Sequence, residues 1–166
     1  MLFVPGHREG WAAKAVRSGT DAVILDLEDS VPANLKAEAR DMVAASIREL
    51  AANHPHVGVY IRVNAMETGM TGDDLEKVAI PGCSCFVLPK SYGVKDVLAR
   101  EALTDHFERR NGAPTGSLEF ILSLETAQAY AECEAMIKAS PRCATLFAGA
   151  ARDADVSRSV GFEFTT

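Results

Sequence analysis

The stretch Ala22-Val23-Ile24-Leu25-Asp26-Leu27-Glu28-Asp29 passes from four apolar residues directly into three acids. A short continuous apolar run with β-branched residues inside it reads as a strand buried on both faces, and the acids mark the end where it emerges. The same plan recurs along the chain. Leu2-Phe3-Val4 is ended by Pro5-Gly6, and Val59-Tyr60-Ile61 runs into Arg62-Val63-Asn64. Cys85-Phe86-Val87-Leu88 runs into Pro89-Lys90, Phe120-Ile121-Leu122-Ser123-Leu124 into Glu125, and Ala144-Thr145-Leu146-Phe147-Ala148 into Gly149.

Helical patterns lie between these runs. One covers Trp11 to Arg17 and is closed by Gly19, a residue suited to the position after a helix. A second covers Leu35 to Ala52, with Leu35, Ala39, Val43, Ile47 and Leu50 on one stripe. Others cover Gly72 to Val78, Val94 to Arg109, and Thr126 to Ala139, the last stopping before Pro141.

Strand–helix alternation with short connections implies parallel strands and right-handed crossovers. Two architectures satisfy it, an open doubly wound sheet and an eight-stranded barrel. A dinucleotide-binding doubly wound sheet carries three glycines in its first turn, and Pro5-Gly6-His7-Arg8-Glu9-Gly10 lacks that fingerprint. The expectation is therefore an α/β fold, a parallel (β/α)8 TIM barrel. A whole barrel takes about 200–250 residues, and 166 supply about its first six β/α units. The chain is read as one incomplete TIM-barrel domain over residues 1–166, cut at its C-terminal end.

The bulk numbers agree with one apolar-cored domain: 48% of residues are hydrophobic and 24% charged. A formal net charge of −6, with no run of Lys or Arg longer than two, argues against nucleic acid or a membrane surface as partner. No signal-like N-terminus and no apolar stretch of about 18 residues is visible, so a cytoplasmic protein is expected. Cys83, Cys85, Cys133 and Cys143 have no histidine near them in sequence and read as reduced, half-buried thiols rather than a zinc site.

In a parallel barrel the C-terminal strand ends meet at one face, where active sites form. Asp26, Glu28 and Asp29, Arg62 and Asn64, Lys90, Glu125, and the pair Asp153 and Asp155 all follow strands, so they are expected to converge. Clustered carboxylates repel in a low-dielectric cleft unless a cation sits among them. Oxygen ligands without His or Cys favour Mg²⁺. Arg62 offers a planar fork for a substrate carboxylate and Lys90 a further positive charge. Any one of these acids could merely cap a helix; charge at nearly every strand end points to a metal-assisted enzyme acting on a small anion.

At these residues the sequence resembles the CitE-like branch of the HpcH/HpaI aldolase and citrate lyase β-subunit superfamily. The resemblance is carried by Leu2–Arg8, Asp21–Val31, Ile61-Arg62-Val63-Asn64, Val87-Leu88-Pro89-Lys90 and Leu124-Glu125-Thr126-Ala127 in that order, with a late glycine-and-aspartate loop. It implies a Mg²⁺-dependent carbon–carbon lyase that cleaves or forms a 3-hydroxyacyl-CoA, such as citryl-CoA or malyl-CoA, giving acetyl-CoA and a 2-oxo acid. It implies Mg²⁺ on Glu125 and an aspartate after the sixth strand, with Glu28 and Asp29 beside the metal. Arg62 is then the ligand of the oxo-acid carboxylate and Lys90 a further catalytic cation. Pro5, Gly6 and Arg8 are then near the thioester or phosphates. The full-length protein is implied to be a homo-oligomer, a trimer or hexamer. The family's proton acceptor commonly comes from an acidic C-terminal segment, often of a neighbouring subunit, which is not expected within these residues.

Two departures leave alternatives open. The usual Gly-Ala-Glu-Asp-Leu loop is replaced by Gly149-Ala150-Ala151-Arg152-Asp153-Ala154-Asp155-Val156. Counting forward from the strand favours Asp153 as the metal ligand, and counting back from Gly161 favours Asp155, which is preferred. The competing functions are a 2-oxo-acid aldolase or acyl-CoA thioesterase of the same superfamily, and an inactive truncated paralogue.

Overall fold

The computed structural model describes residues 1–148 and 154–161. Strands β1 (Leu2–Pro5), β2 (Ala22–Asp26), β3 (Gly58–Arg62), β4 (Cys85–Leu88), β5 (Glu119–Ser123) and β6 (Cys143–Phe147) alternate with helices. The helices are α1 (Trp11–Val16), α2 (Lys36–Asn53), α3 (Thr71–Val78), α4 (Val94–Asn111), α5 (Ala127–Lys138) and α6 (Asp155–Val160). The strands form one parallel sheet in sequence order. Unbroken sequence order with a helix after each strand is the winding of a (β/α)8 barrel, as expected.

Side-chain alternation divides the apolar residues into two layers. Val23 and Leu25, Val59 and Ile61, Phe86 and Leu88, Phe120 and Leu122 face the helices, where they meet Val43, Ile47, Leu50, Leu75 and Val97. Ile24, Cys85, Val87 and Ile121, with Tyr60 and Phe147, form the smaller layer on the opposite face. The α2 stripe buries Ala39, Val43, Ile47 and Leu50 and half-buries Leu35. Gly6 shows why a bare backbone is required after β1: a Cβ there would lie 2.6 Å from the Asp26 carbonyl oxygen and 2.8 Å from Val43.

The structure departs from the sequence expectation at the edges and the last helix. β2 and β4 are buried throughout, but Leu2 and Phe3 on β1 are 42% and 50% exposed, because an end strand has a neighbour on one side only. A helix over Asp155–Val160 was not anticipated. All four cysteines are unpaired, Cys83 and Cys85 are buried, and burial pushes the Cys83 thiol up to about 12. No helix among the described residues is long and apolar enough to cross a membrane.

At the N-terminal ends of β5 and β6 a buried ion pair fastens α4 to the sheet. Arg142 donates to Glu108 at 2.9 and 2.6 Å, to the Leu118 carbonyl at 2.8 Å, and to Asp105. Glu108, fully buried, also accepts from the amides of Gly116 and Leu118 at 2.8 and 2.9 Å. Burial alone would raise its pKa, but Arg142 and the two amides hold it below the ordinary range. Arg142→Met strands this carboxylate and is expected to lower the unfolding free energy by about 3–5 kcal/mol near neutral pH, measured by urea denaturation. A lowered folded pKa stabilises above the unfolded value and is lost on acidification, so the deficit should shrink as pH falls through the Glu108 titration.

Candidate functional site

Asp26 and Arg62 are register partners at the C-terminal ends of β2 and β3. By alternation they share a face with Ile24 and Tyr60, so both reach over the inner layer. Arg62 Nε and Nη2 each lie 2.7 Å from an oxygen of Asp26, which is 1% exposed. Asp26 further accepts from the Glu28 amide at 2.9 Å, the Ser30 amide at 3.0 Å and the Ser30 hydroxyl. Burial would raise the Asp26 pKa; the hydrogen bonds and charge of Arg62, with Ser30, bring it below the usual value. The sequence expectation of a free guanidinium fork is thus sharpened. The side-on edge of Arg62 is taken, and its Nη1 end looks toward Glu28 and Asp29 at 3.3 and 3.5 Å. Phe3 covers the guanidinium at 5.2 Å from the ring centroid.

The loop after β2 is held from below. Lys36 Nζ donates to the carbonyls of Leu27 and Glu28, both at 2.6 Å, and to Asn64 Oδ1 at 2.7 Å. Asn64 is fixed by the fully buried Asp74, which accepts its amide and side chain at 2.7 and 2.8 Å and Arg40 Nε at 2.7 Å. This scaffold presents Glu28, 5% exposed, to Lys90 Nζ at 3.0 Å. Burial drives the Glu28 pKa up to about 7 against the opposing charges of Arg62 and Lys90. Its Oε2 is buried without a hydrogen-bond donor.

Lys90 also lies 3.5 Å from Asp29 and 3.7 Å from Asp155. Glu125, half-buried, has its pKa raised by burial, which outweighs the opposing influence of Ser123, Lys90 and Arg62. Phe3, Asp29, Arg62, Ser123, Glu125, Phe147 and Asp155 line one cavity of about 270 Å³. Residues from β1, β3, β5, α6 and the β2 loop therefore meet in one place, and of the strand-end residues expected to converge, Asp29, Arg62, Glu125 and Asp155 line it. Pro5 sits beside it, in a cavity of about 330 Å³ shared with Phe3, Asp26, Ser30 and Arg62. Arg8 does not join them. It stacks over Trp11 at 5.8 Å and lines a separate groove with Glu38 and Glu49 of α2. Gly6 is packed against the β2 backbone, and Asp153 lies outside the described residues.

Whether a hard cation suits this cavity follows from the donors. Among the described residues no three His, Cys, Asp or Glu side chains converge tightly enough to hold a metal unaided. Mg²⁺ does not need three, since it usually keeps waters and takes one or two carboxylates. Glu125 and Asp155, which line one cavity, are two such carboxylates.

Residues 1–164 match the family model described as HpcH/HpaI aldolase/citrate lyase. The chain belongs to that family. It is 46% identical over 92 residues to a citrate lyase subunit beta-like protein of Deinococcus radiodurans, an alignment covering 54% of this chain and 32% of the relative. It is 32% identical to the L-malyl-CoA/β-methylmalyl-CoA lyase of Cereibacter sphaeroides over 99% of this chain and 51% of that enzyme. CitE of Mycobacterium tuberculosis, solved with magnesium, acetoacetate and coenzyme A, superposes with a TM-score of 0.68 at 27% identity, covering 99% of this chain and 52% of that one. The chain thus spans about half the length of the relatives it matches from end to end.

Sequence reasoning did not find Lys36, Asp74, Asn64's anchoring or Phe3 as site components. Asp26 was visible as a strand-end acid, and its pairing with Arg62 could have been read by setting the two strand ends in register. For the protein without metal, the Glu28 Cδ resonance should titrate near pH 7 by NMR. Lys90→Met should move that titration higher, because the hydrogen bond and charge it removes both favour the carboxylate.

Proposed function

We propose that this chain carries the metal- and oxo-acid-binding half of a Mg²⁺-dependent carbon–carbon lyase acting on a 3-hydroxyacyl-CoA of the malyl-CoA or citryl-CoA type. The observation that supports it most is the shared cavity. Two carboxylates able to hold Mg²⁺, Glu125 and Asp155, face the one guanidinium end of Arg62 left open by Asp26. The family relationship, a malyl-CoA lyase among the relatives, and a CitE solved with magnesium and coenzyme A support the same assignment.

In this proposal Arg62 binds the carboxylate of the oxo-acid half through Nη1 and the free Nη2 hydrogen, with its plane set by Asp26 and Phe3. Mg²⁺, when bound, supplies Lewis-acid polarisation of the substrate carbonyl or hydroxyl oxygen. Glu28 and Asp29 would orient metal waters, Asp29 lining the cavity and Glu28 Oε2 lying 3.3 Å from Arg62 Nη1 without a hydrogen bond. Lys90 offsets the acids so that the substrate anion is not repelled. In cleavage a general base takes the hydroxyl proton as the bond between the hydroxyl-bearing carbon and the thioester α-carbon breaks, giving a 2-oxo acid and the acetyl-CoA enolate, which then takes up a proton at its α-carbon; condensation is the reverse.

The test is thermal unfolding with Mg²⁺ and glyoxylate or oxaloacetate. Each ligand at a hundredfold over Kd should add about 2.7 kcal/mol, roughly 5–10 °C in Tm for a chain of this size. Arg62→Lys should abolish the oxo-acid increment and keep that of Mg²⁺, since an ammonium cannot replace the braced guanidinium. Glu125→Gln should abolish both. A wild-type chain indifferent to Mg²⁺ and to both acids would refute the proposal.

A further inference from the structure

Strand alternation does not explain how Lys90 reaches Glu28, Asp29 and Asp155. Cys85 and Val87 face the inner layer, and Phe86 and Leu88 face the helices. Continued, that alternation would send Lys90 outward with Phe86 and Leu88. Instead φ at Lys90 is +46°, the only positive value at a residue other than glycine among those described. The left-handed bend swings Nζ back to Glu28, Asp29 and Asp155. A side chain pays for such a backbone only where its surroundings enforce it.

The enforcing group is Arg100 of α4, 1% exposed. Its Nη2 donates to the carbonyl of Pro89 at 2.9 Å, the residue before Lys90. Its Nη1 donates to Ser91 Oγ at 3.1 Å, the residue after, and to the Asp96 carbonyl at 3.4 Å. Ser91 is itself 1% exposed. A guanidinium buried with main-chain and hydroxyl acceptors, rather than in a close ion pair, is costly to keep. Its rigid fork is what can grip two residues flanking a third.

We propose that Arg100 is a positioning residue. By holding Pro89 and Ser91 it locks Lys90 in the left-handed bend that aims the ammonium at Glu28, Asp29 and Asp155. The geometry stands without any function. Its consequence for ligand binding rests on the Mg²⁺ and oxo-acid assignment above.

Arg100→Met is compared with wild type, with Lys90→Gly and with the double variant. In the crystal structure of Arg100→Met, φ at residue 90 should turn negative and Lys90 Nζ should leave Glu28. An unchanged bend overturns the proposal whether or not the chain binds Mg²⁺. By calorimetry, Arg100→Met should weaken Mg²⁺-dependent glyoxylate binding about tenfold, and add no further loss when residue 90 is glycine. Additive losses would assign Arg100 a role apart from Lys90 and also overturn it. Absent binding in the wild type refutes the lyase assignment alone and leaves the structural readout to decide. Should Arg100→Met not fold, Arg100→Lys, which keeps the charge but reaches one acceptor, carries the same measurements. Failure of both to fold, with lysine or glycine at 90, makes Arg100 a fold residue and overturns the proposal.

Discussion

The pairing of Asp26 with Arg62 is the contact on which the rest of the site depends. Two charged residues stand side by side at the ends of adjacent strands, facing a low-dielectric inner layer, and neither could be there alone. Their bidentate contact fixes the guanidinium plane and dictates which edge remains for a ligand. Asp26 also gathers the Glu28 and Ser30 amides, so the same carboxylate that orients Arg62 folds the acidic loop into place. Glu28 and Asp29 are where they are because Asp26 turns the chain.

Local charge then follows from geometry. Glu28 is pushed toward neutrality by burial, Glu125 is pushed the same way, and Lys90 is pulled above its ordinary value by the acids around it despite partial burial. In both glutamates the loss of hydration outweighs the opposing charge of Arg62 and Lys90. Glu125 and Asp155 line one cavity, and a divalent cation bound there would compensate their charge.

The sheet order and the converging strand ends were legible because both are written in local pattern. Continuous apolar runs name buried strands, and each run's first polar residues name the site face. Period two also assigns Asp26, Glu28, Arg62 and Glu125 to the inner side. The same rule misplaces Lys90, which enters only through a backbone bend imposed by α4. Lys36 and Asp74 left no trace either. A lysine and an aspartate near helix starts are ordinary surface residues until the fold buries them under the β2 and β3 loops. The α6 helix escaped for a different reason: a six-residue segment without a full apolar stripe carries no periodic signal.

The two ends of the sheet use buried charge in opposite ways. At the N-terminal end, Glu108 has both oxygens occupied by Arg142 and main-chain amides. Such a closed network can fasten α4 to the sheet but has nothing left with which to meet a ligand. At the C-terminal end, Glu28 Oε2 has no donor, the end of Arg62 touches acids only loosely, and Lys90 is held in a strained backbone. Each of those features weakens the isolated fold and would be removed by selection for stability alone. The loosely held end of Arg62 and the strained backbone at Lys90 lie on the face where parallel barrels do chemistry, which supports reading that face as the binding face. The same contrast divides α4 between the two tasks: its C-terminal part anchors the fold through Glu108, and its N-terminal part, through Arg100, holds the strain that the site requires.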